Sequence, residues 1–401
     1  MVEIWLAYGL SEIPVRVPEE RLIDIFRTSS AGTPSDALAE ARKLIESNER
    51  LQTLAKEAKR VCIVLGQCGN GGLAVGLVKE IQQAITGNPQ AATTILCAPG
   101  AVELKQNLPP ETRIIRHNPE SSATLPLDNF KGEITPELNS EFLGADLKII
   151  VGEHKQHAFL TCMGLCDVIF PGMASQNSIQ SHLSNRKGLS ASDLHKERLE
   201  IVNSTDNVLA LGVVLDSDKT AIYVALGSVV DCLTTLEDAS QKLLTRNVTK
   251  TADIVVMGVG GGPQDETLVQ AVETFPVGVT ALKRNGVLIV ASECGKGHGD
   301  TEFYGWCAEK KEPHHLEARL RHHFNYNGYK AAFLRRLLDS HRVYLVSTIP
   351  DHYVENVFGM RAARTVNAAL QTAQRTLGSD SSISVIPDAS RVILRQAAPP
   401  Q

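Results

Sequence analysis

Short apolar segments alternate with amphipathic ones along most of this chain, and that alternation predicts an α/β fold. Residues 61–66 (VCIVLG) predict a strand that leads through a glycine-rich loop into a helix over residues 73–85. Residues 93–98 and 145–152 predict further strands of the same sheet, and residues 209–227 predict a hairpin. The unit of strand, glycine loop and helix is a common place for an α/β protein to build a site.

The same pattern restarts near residue 250 and predicts a second α/β domain. Residues 252–275 again read as strand, glycine loop and helix, and residues 316–341 predict one long helix. We therefore predict a first domain over residues 1–248 and a second over residues 249–378. The tail, residues 379–401, is a candidate addition to the first domain.

Composition narrows the class of protein. A chain of 401 residues exceeds one ordinary core, which agrees with two domains. The net charge of −5 argues against a nucleic-acid partner. No apolar run approaches the roughly 20 residues that cross a bilayer, and the start lacks the pattern of a signal peptide. These features predict a cytoplasmic enzyme-sized protein whose eight cysteines are reduced.

Two glycine-rich loops, residues 66–72 and 258–264, follow predicted strands and raise the question of a phosphate cradle. Neither loop fits the P-loop spacing or the dinucleotide fingerprint, because Pro263 occupies the last glycine position of the second loop. A backbone nest for a carboxylate or a phosphate stays open.

The densest chemistry lies in residues 152–185. His154 and His157 follow the predicted strand at its carboxyl end, where open α/β sheets bind ligands, and Cys162 and Cys166 come next. The alternative is that the histidines form structural hydrogen bonds and the cysteines, four apart on a helix, pack inward. His182 lies on a later predicted helix, where an exposed polar position is the alternative to a site role.

The cysteines divide by context. Cys62, Cys97 and Cys232 lie in apolar or amphipathic runs and are interpreted as small buried hydrophobes. Four others lie in loop-like surroundings that contain glycine and are candidates for a site: Cys68, Cys162, Cys166 and Cys294.

The order of several segments resembles that of the nickel-dependent lactate racemase family over nearly the whole chain. The strand ending in GEHKQH is similar to the one that leads to a catalytic histidine of the family, which falls on His157. The turn at Pro171 and Gly172 resembles the Pro-Gly-Ile-Ala turn of the family. In the second glycine-loop unit, Gln270 falls on a glutamine that contacts cofactor or substrate.

This resemblance implies a racemase or epimerase with two α/β domains and an active site in the cleft between them. Family members tether a nickel-pincer nucleotide to a lysine and use it to take hydride from the α-carbon of a small 2-hydroxy acid. We therefore expect His157 to act as general acid and base, with His154 as a second catalytic candidate. Gln270 would position the ligand and His182 would hold the metal.

Several positions depart from the family pattern. Asp167 stands where the tethering lysine is expected, and Leu183 stands at the nickel-binding histidine, one residue after His182. Glu273 stands at another expected lysine. The loop that binds the substrate carboxylate in the family becomes Gln67, Cys68, Gly69 and Asn70, and the segment with the other catalytic histidine becomes Pro99 to Val102. The scaffold is expected to persist without the lysine-tethered cofactor.

Three replacements for that chemistry remain open. Cys68, Cys162 and Cys166 could bind an iron–sulfur cluster whose open iron acts as a Lewis acid in a hydro-lyase or related reaction. Cys68 and Cys166 could instead be opposed bases in a cofactor-free racemisation. The non-enzyme alternative is a small-ligand-binding protein.

The ligand-binding candidates are Gly69, Asn70, Gly71 and Gly72, whose backbone amides would hold a carboxylate, together with Asp167. The identity of the hydroxy acid and the oligomeric state stay open.

Overall fold

The structure is a computed structural model that describes residues 1–397 except 29–35, 70, 86–87, 89, 102–103, 105–107, 109–111, 158, 160 and 184–189. For residues 156, 157, 161–163 and 191 it describes the backbone only.

Strands and helices alternate through both halves of the described chain. The strands are β1 (Val2–Tyr8), β2 (Ser11–Val17), β3 (Leu22–Ile25), β4 (Arg60–Leu65), β5 (Ala92–Cys97), β6 (Arg113–Arg116), β7 (Thr124–Pro126), β8 (Glu137–Asn139), β9 (Leu147–Glu153), β10 (Lys155–His157), β11 (Thr161–Met163), β12 (Val208–Leu215), β13 (Ala221–Gly227), β14 (Thr245–Val248), β15 (Ala252–Gly258), β16 (Leu282–Ala291), β17 (Arg342–Val346), β18 (Arg361–Ala362), β19 (Ile383–Ile386) and β20 (Ile393–Gln396).

The α-helices are α1 (Ala37–Ser47), α2 (Glu49–Glu57), α3 (Gly71–Ile85), α4 (Ser140–Leu143), α5 (Leu165–Ile169), α6 (Gln176–Leu183), α7 (Ala191–Asn203), α8 (Val229–Leu243), α9 (Leu268–Ala271), α10 (Phe275–Thr280), α11 (Thr301–Ala308), α12 (Pro313–His322), α13 (Tyr326–Ser340), α14 (Asp351–Asn356) and α15 (Val366–Leu377). Short 3-10 helices cover Glu19–Arg21, Val272–Thr274 and Ala389–Arg391.

The first domain is built on a six-stranded sheet with the order β13-β12-β9-β4-β5-β6. The strands from β12 to β6 are parallel, and β13 joins the edge as the antiparallel arm of the predicted hairpin. Successive residues of β4 point to opposite faces, so Ile63 packs with α1 and α3 while Val64 packs with α5 and α8. Burial on both faces explains why its strands read as continuous apolar runs.

The second domain is built on a parallel sheet with the order β18-β17-β16-β15-β19-β3. One face packs against α10, α11 and α13 through residues such as Phe275 and Phe303. The other face packs against α15 and the β1–β2 hairpin through residues such as Leu6 and Leu370. Two α/β domains of this kind confirm the predicted fold class.

The first and last segments of the chain join other sheets than the predicted domain ranges imply. Strand β3 pairs with β19 in the second sheet, so the start of the chain joins the second domain rather than the first. In the tail, β19 belongs to that same sheet and β20 pairs with β14. The pairing of β3 with β19 joins residues more than 350 positions apart, and local apolar patterns carry no information about such partners.

The predicted long helix over residues 316–341 is two helices. The break lies between α12 and α13, where the Asn325 side chain accepts a hydrogen bond from the Gly328 amide at 2.6 Å and caps α13. No helix in the described part of the chain is long and apolar enough to cross a bilayer.

Candidate functional site

A cavity of about 360 Å³ lies at the carboxyl ends of β4, β5 and β9. Open α/β sheets bind ligands at this edge. Its wall combines residues that follow these strands with residues of the α5 turn and one residue of the second domain: Gly66, Gln67, Ala98, Pro99, Glu153, Lys155, Gly164, Asp167, Val168, Pro171, Gly172 and Gln270, with Pro119 and Ile179. We refer to it as the site cavity.

Gln270 brings the second domain to the site cavity, and its role in positioning a ligand stays a prediction. It lies in α9, whose first turn is capped by the Thr267 side chain. The Thr267 hydroxyl also donates a hydrogen bond of 2.7 Å to Gln270 Oε1, so the amide has a fixed orientation.

Lys155 is a cavity-wall residue that the sequence analysis missed. The residue is 9% exposed, and its Nζ lies 3.2 Å from Gln67 Oε1 and 3.8 Å from Glu153 Oε2. Burial lowers the pKa of Lys155, and the negative charge of Glu153 opposes that shift. A lysine two residues after the buried strand β9 was the available signal, but only the histidines on either side of it were considered as candidates.

Glu153, at the end of β9, joins the first domain to the tail. Arg391 donates hydrogen bonds of 2.9 Å from Nε to Oε1 and 3.1 Å from Nη2 to Oε2. Arg391 also donates from Nη1 to Asp388 at 2.7 Å. Burial alone would raise the pKa of Glu153, but the charges of Arg391 and Lys155 outweigh it and lower the pKa.

Asp167 and His182 belong to one chain of buried contacts, which we call the Asp167 network. Arg198 donates from Nη1 to Asp167 at 2.6 Å and from Nε to His182 Nε2 at 3.0 Å. His182 Nδ1 lies 2.6 Å from Glu197, and the histidine has no solvent exposure. Since arginine can only donate, Nε2 is the acceptor and Nδ1 donates to Glu197.

The Asp167 network does not fit a lysine-tethered nickel group. A carboxylate bound to arginine occupies the position of the tether, and both ring nitrogens of His182 are engaged by neighbouring side chains. His182 was expected to hold the metal, but in this arrangement both of its ring nitrogens are already bonded to other side chains.

The structure does not bring the candidate cysteines together. Cys68 packs in the core on the α3 face of the first sheet, whereas Cys166 packs in the core on the α5 face. Burial raises the pKa of the Cys68 thiol well above its usual range, so the thiolate that would act as a base is disfavoured.

A shared cluster of Cys68, Cys162 and Cys166, and an opposed pair of Cys68 and Cys166, are therefore not supported. The side chain of Cys162 lies outside the described part. In the described part of the chain, no three His, Cys, Asp or Glu side chains are grouped so that they could hold a metal ion.

His154 is buried beside the site cavity without lining it. Neither ring nitrogen has a hydrogen-bond partner among the described residues. A Cβ placed on Gly164 would lie 3.3 Å from Nδ1, so the ring packs against the start of α5. Burial lowers the pKa of His154 to about 4, against the opposing charges of Glu153 and Asp167.

His157 pairs with Thr161 in the β10–β11 hairpin, which begins at the wall residue Lys155. Its side chain lies outside the described part, so its catalytic role stays a prediction.

The predicted glycine nest lies mostly elsewhere. Gly71 and Gly72 begin α3 and line a wider cleft of about 1210 Å³ that includes Arg116 and Gly262. Gly69 has a φ of +52°, a conformation that favours glycine, and Asn70 lies outside the described residues. The described glycines of the nest therefore do not share the site cavity with Asp167 and Gln270.

Comparisons with known proteins give consistent matches over both domains. Residues 8–189 match the family model described as the lactate racemase N-terminal domain, and residues 248–394 match the lactate racemase C-terminal domain. A lactate racemase from Thermoanaerobacterium thermosaccharolyticum is 28% identical over 99% of this chain and 100% of its own length. Another, from Lactiplantibacillus plantarum, is 26% identical over 64% of each chain.

Two solved structures are also similar. The apoprotein structure of the lactate racemase from Thermoanaerobacterium thermosaccharolyticum has a TM-score of 0.78 at 26% identity and covers 98% of this chain and 100% of its own. A protein from Thermotoga maritima has a TM-score of 0.63 at 14% identity, with coverage of 92% and 100%, and this likeness supports the fold alone.

The Asp167 network predicts a large effect of Asp167→Asn on stability. The substitution keeps the side-chain volume but leaves the buried Arg198 guanidinium without its carboxylate, which costs about 3 kcal/mol or more. Asp380→Asn is the matched control, because Asp380 pairs with Arg21 at the surface and is 85% exposed; we expect a change below about 1 kcal/mol. Urea unfolding measures both, and equal effects would contradict the network.

The buried ring of His154 predicts that the folded protein loses stability as the pH falls. Unfolded histidine takes up a proton near pH 6.5, whereas the buried ring does so only near pH 4. Burying the neutral His154 ring therefore has no protonation cost above pH 6.5. As the pH falls from 6.5 towards 4, the free energy of unfolding decreases by about 3 kcal/mol in all. The free energy of unfolding should fall less between pH 7.5 and 4.5 in His154→Leu than in wild type or in the exposed control His314→Leu. Parallel losses in all three proteins would refute this.

Proposed function

We propose, from the premise that this chain belongs to the lactate racemase family, that it inverts the configuration at the α-carbon of a small 2-hydroxy acid. The site cavity carries this proposal. It lies at the strand ends where α/β enzymes bind small molecules, and Gln270 closes it from the second domain.

The size and lining of the cavity favour a small polar substrate. Its volume of about 360 Å³ is at the low end of the range for ligand pockets. Val168, Pro171 and Ile179 give it an apolar side, while Gln67, Lys155 and Gln270 supply polar groups. This mixture suits a ligand with a short carbon skeleton and oxygen substituents.

We assign the exchange of the hydroxyl proton to His157. The assignment is supported by the family resemblance and by its place two residues after Lys155 in β10. Gln270 would donate its amide hydrogens to oxygens of the ligand, because its Oε1 is already held by Thr267. In this proposal His157 transfers the proton and Gln270 positions the ligand, so the chain itself supplies both groups.

The nickel-pincer nucleotide implied by the resemblance takes hydride from the α-carbon in the family. Because Asp167 and His182 are committed to Arg198 and Glu197, we propose that this part of the site is altered, and no step is assigned to the tethered group.

The test is interconversion of enantiomers. Protein purified without air, with its metal content measured by mass spectrometry, is incubated separately with each enantiomer of lactate, 2-hydroxybutyrate and malate, and the products are separated by chiral chromatography. We expect at least one pair to converge on a mixture of both enantiomers. His157→Asn should lower the rate by about 100-fold or more, whereas the exposed control His314→Asn should leave it unchanged.

Substrate deuterated at the α-carbon adds information on the chemistry. Retention of deuterium in the inverted product indicates transfer as hydride, and its loss to water indicates proton abstraction. If ligands bind but no pair is interconverted, the racemase proposal fails and a binding protein remains.

A further inference from the structure

We propose that Lys155 is the cation that binds the carboxylate of the ligand in the site cavity. This inference rests on the proposed function for the class of ligand, a 2-hydroxy acid anion. Nothing in the sequence pattern or in the family resemblance assigns this residue a role.

The first observation is the unfilled hydrogen-bonding capacity of Lys155. An ammonium group has three N–H donors. Within the described residues its one hydrogen bond goes to Gln67 Oε1 at 3.2 Å, and Glu153 Oε2 at 3.8 Å is beyond hydrogen-bond distance. Two of its donors therefore have no acceptor among the described residues, on a side chain that lines the cavity wall.

The second observation is that Glu153 is committed elsewhere. Both of its carboxylate oxygens accept hydrogen bonds from Arg391, in the bidentate geometry that makes such pairs strong. Arg391 and Glu153 side chains are 6% and 2% exposed, so this pair is shielded from water. Turning Glu153 towards Lys155 would cost hydrogen bonds to Arg391.

The third observation is the charge balance of the wall. The two carboxylates that line the site cavity, Glu153 and Asp167, each pair with a buried arginine. Arg391 is shared between Glu153 and Asp388, and Lys155 adds the second positive charge near these two carboxylates. Among the described residues, however, Lys155 makes no hydrogen bond to a carboxylate, although removing an ammonium from water is costly. A bound carboxylate would offset that cost through charge-assisted hydrogen bonds.

The alternative place for a carboxylate is the glycine nest at the start of α3. Gly71 and Gly72 line the wider cleft, whereas Lys155 and Gln270 line the site cavity. A ligand that contacts Gln270 in the site cavity therefore meets Lys155 there rather than these two amides.

The experiment compares glycolate with glycolamide by isothermal titration calorimetry on the full chain. The two ligands differ in the charge of one group, and glycolate has no stereocentre, so its binding is independent of net racemisation. We expect wild type to prefer glycolate. Lys155→Gln should lower the affinity for glycolate by about 10-fold or more while leaving that for glycolamide nearly unchanged.

Gln67→Glu gives a second test with little change in volume. It places a carboxylate at the atom that now lies 3.2 Å from Lys155 Nζ, and this internal anion should compete with glycolate. We again expect a loss of about 10-fold or more for glycolate alone.

Lys148→Met is the matched control. Lys148 is a buried lysine at the opposite end of β9, and its Nζ donates to the Ala145 and Asp206 carbonyls. Its removal should leave the affinity for glycolate unchanged, and thermal unfolding checks that each variant is folded.

Undiminished glycolate binding by both Lys155→Gln and Gln67→Glu would overturn the inference, as would a wild type that does not bind glycolate. If Lys155→Gln does not fold, Gln67→Glu decides alone. Binding that depends on Lys155 without interconversion of any chiral hydroxy acid would refute the proposed function only. Interconversion with binding indifferent to both variants would refute the inference only.

Discussion

The buried ion pair between Glu153 and Arg391 fixes the relation of the two domains at the candidate site. Glu153 ends the central strand β9 of the first sheet, and Arg391 follows β19 of the second sheet by five residues. Breaking such a pair leaves an uncompensated buried charge, which is strongly destabilising. The pair thus holds the tail of the chain against the strand end from which Lys155 continues, and it determines which charges the cavity can offer a ligand.

A second buried network occupies the place where the family resemblance implies the cofactor. Asp167, Arg198, His182 and Glu197 satisfy one another through short contacts across α5, α6 and α7. The Asp167 carboxylate and the Arg198 guanidinium neutralise each other. The fold therefore accommodates an aspartate at the position of the expected lysine without an unpaired buried charge. The fold of the family is present in this chain, and the proposed change in chemistry concerns the groups around Asp167 and His182.

Much of the fold could be predicted from sequence, because the apolar runs of β4, β5 and β9 report directly on strands buried on both faces. Gln270 was placed by the resemblance to the lactate racemase family rather than by a local pattern of residues. The pairing of β3 with β19 could not be predicted, because it depends on contacts between chain ends.

The individual side chains of the site were harder to predict. Cys68 follows a strand and precedes a glycine with positive φ, so its surroundings resemble a loop, yet its side chain enters the core. Lys155 shows the opposite case: it was not among the candidates from sequence, yet its side chain lines the cavity beyond the end of β9. Burial at such positions is set by the packing of both domains, and periodicity alone does not encode it.

The most direct measurement is a crystal structure of the full chain with glycolate. We predict a carboxylate oxygen within about 3.2 Å of Lys155 Nζ, with Arg391 still bonded to both oxygens of Glu153. A carboxylate bound instead at the amides of Gly71 and Gly72, with Lys155 still bonded to Gln67 alone, would contradict this account.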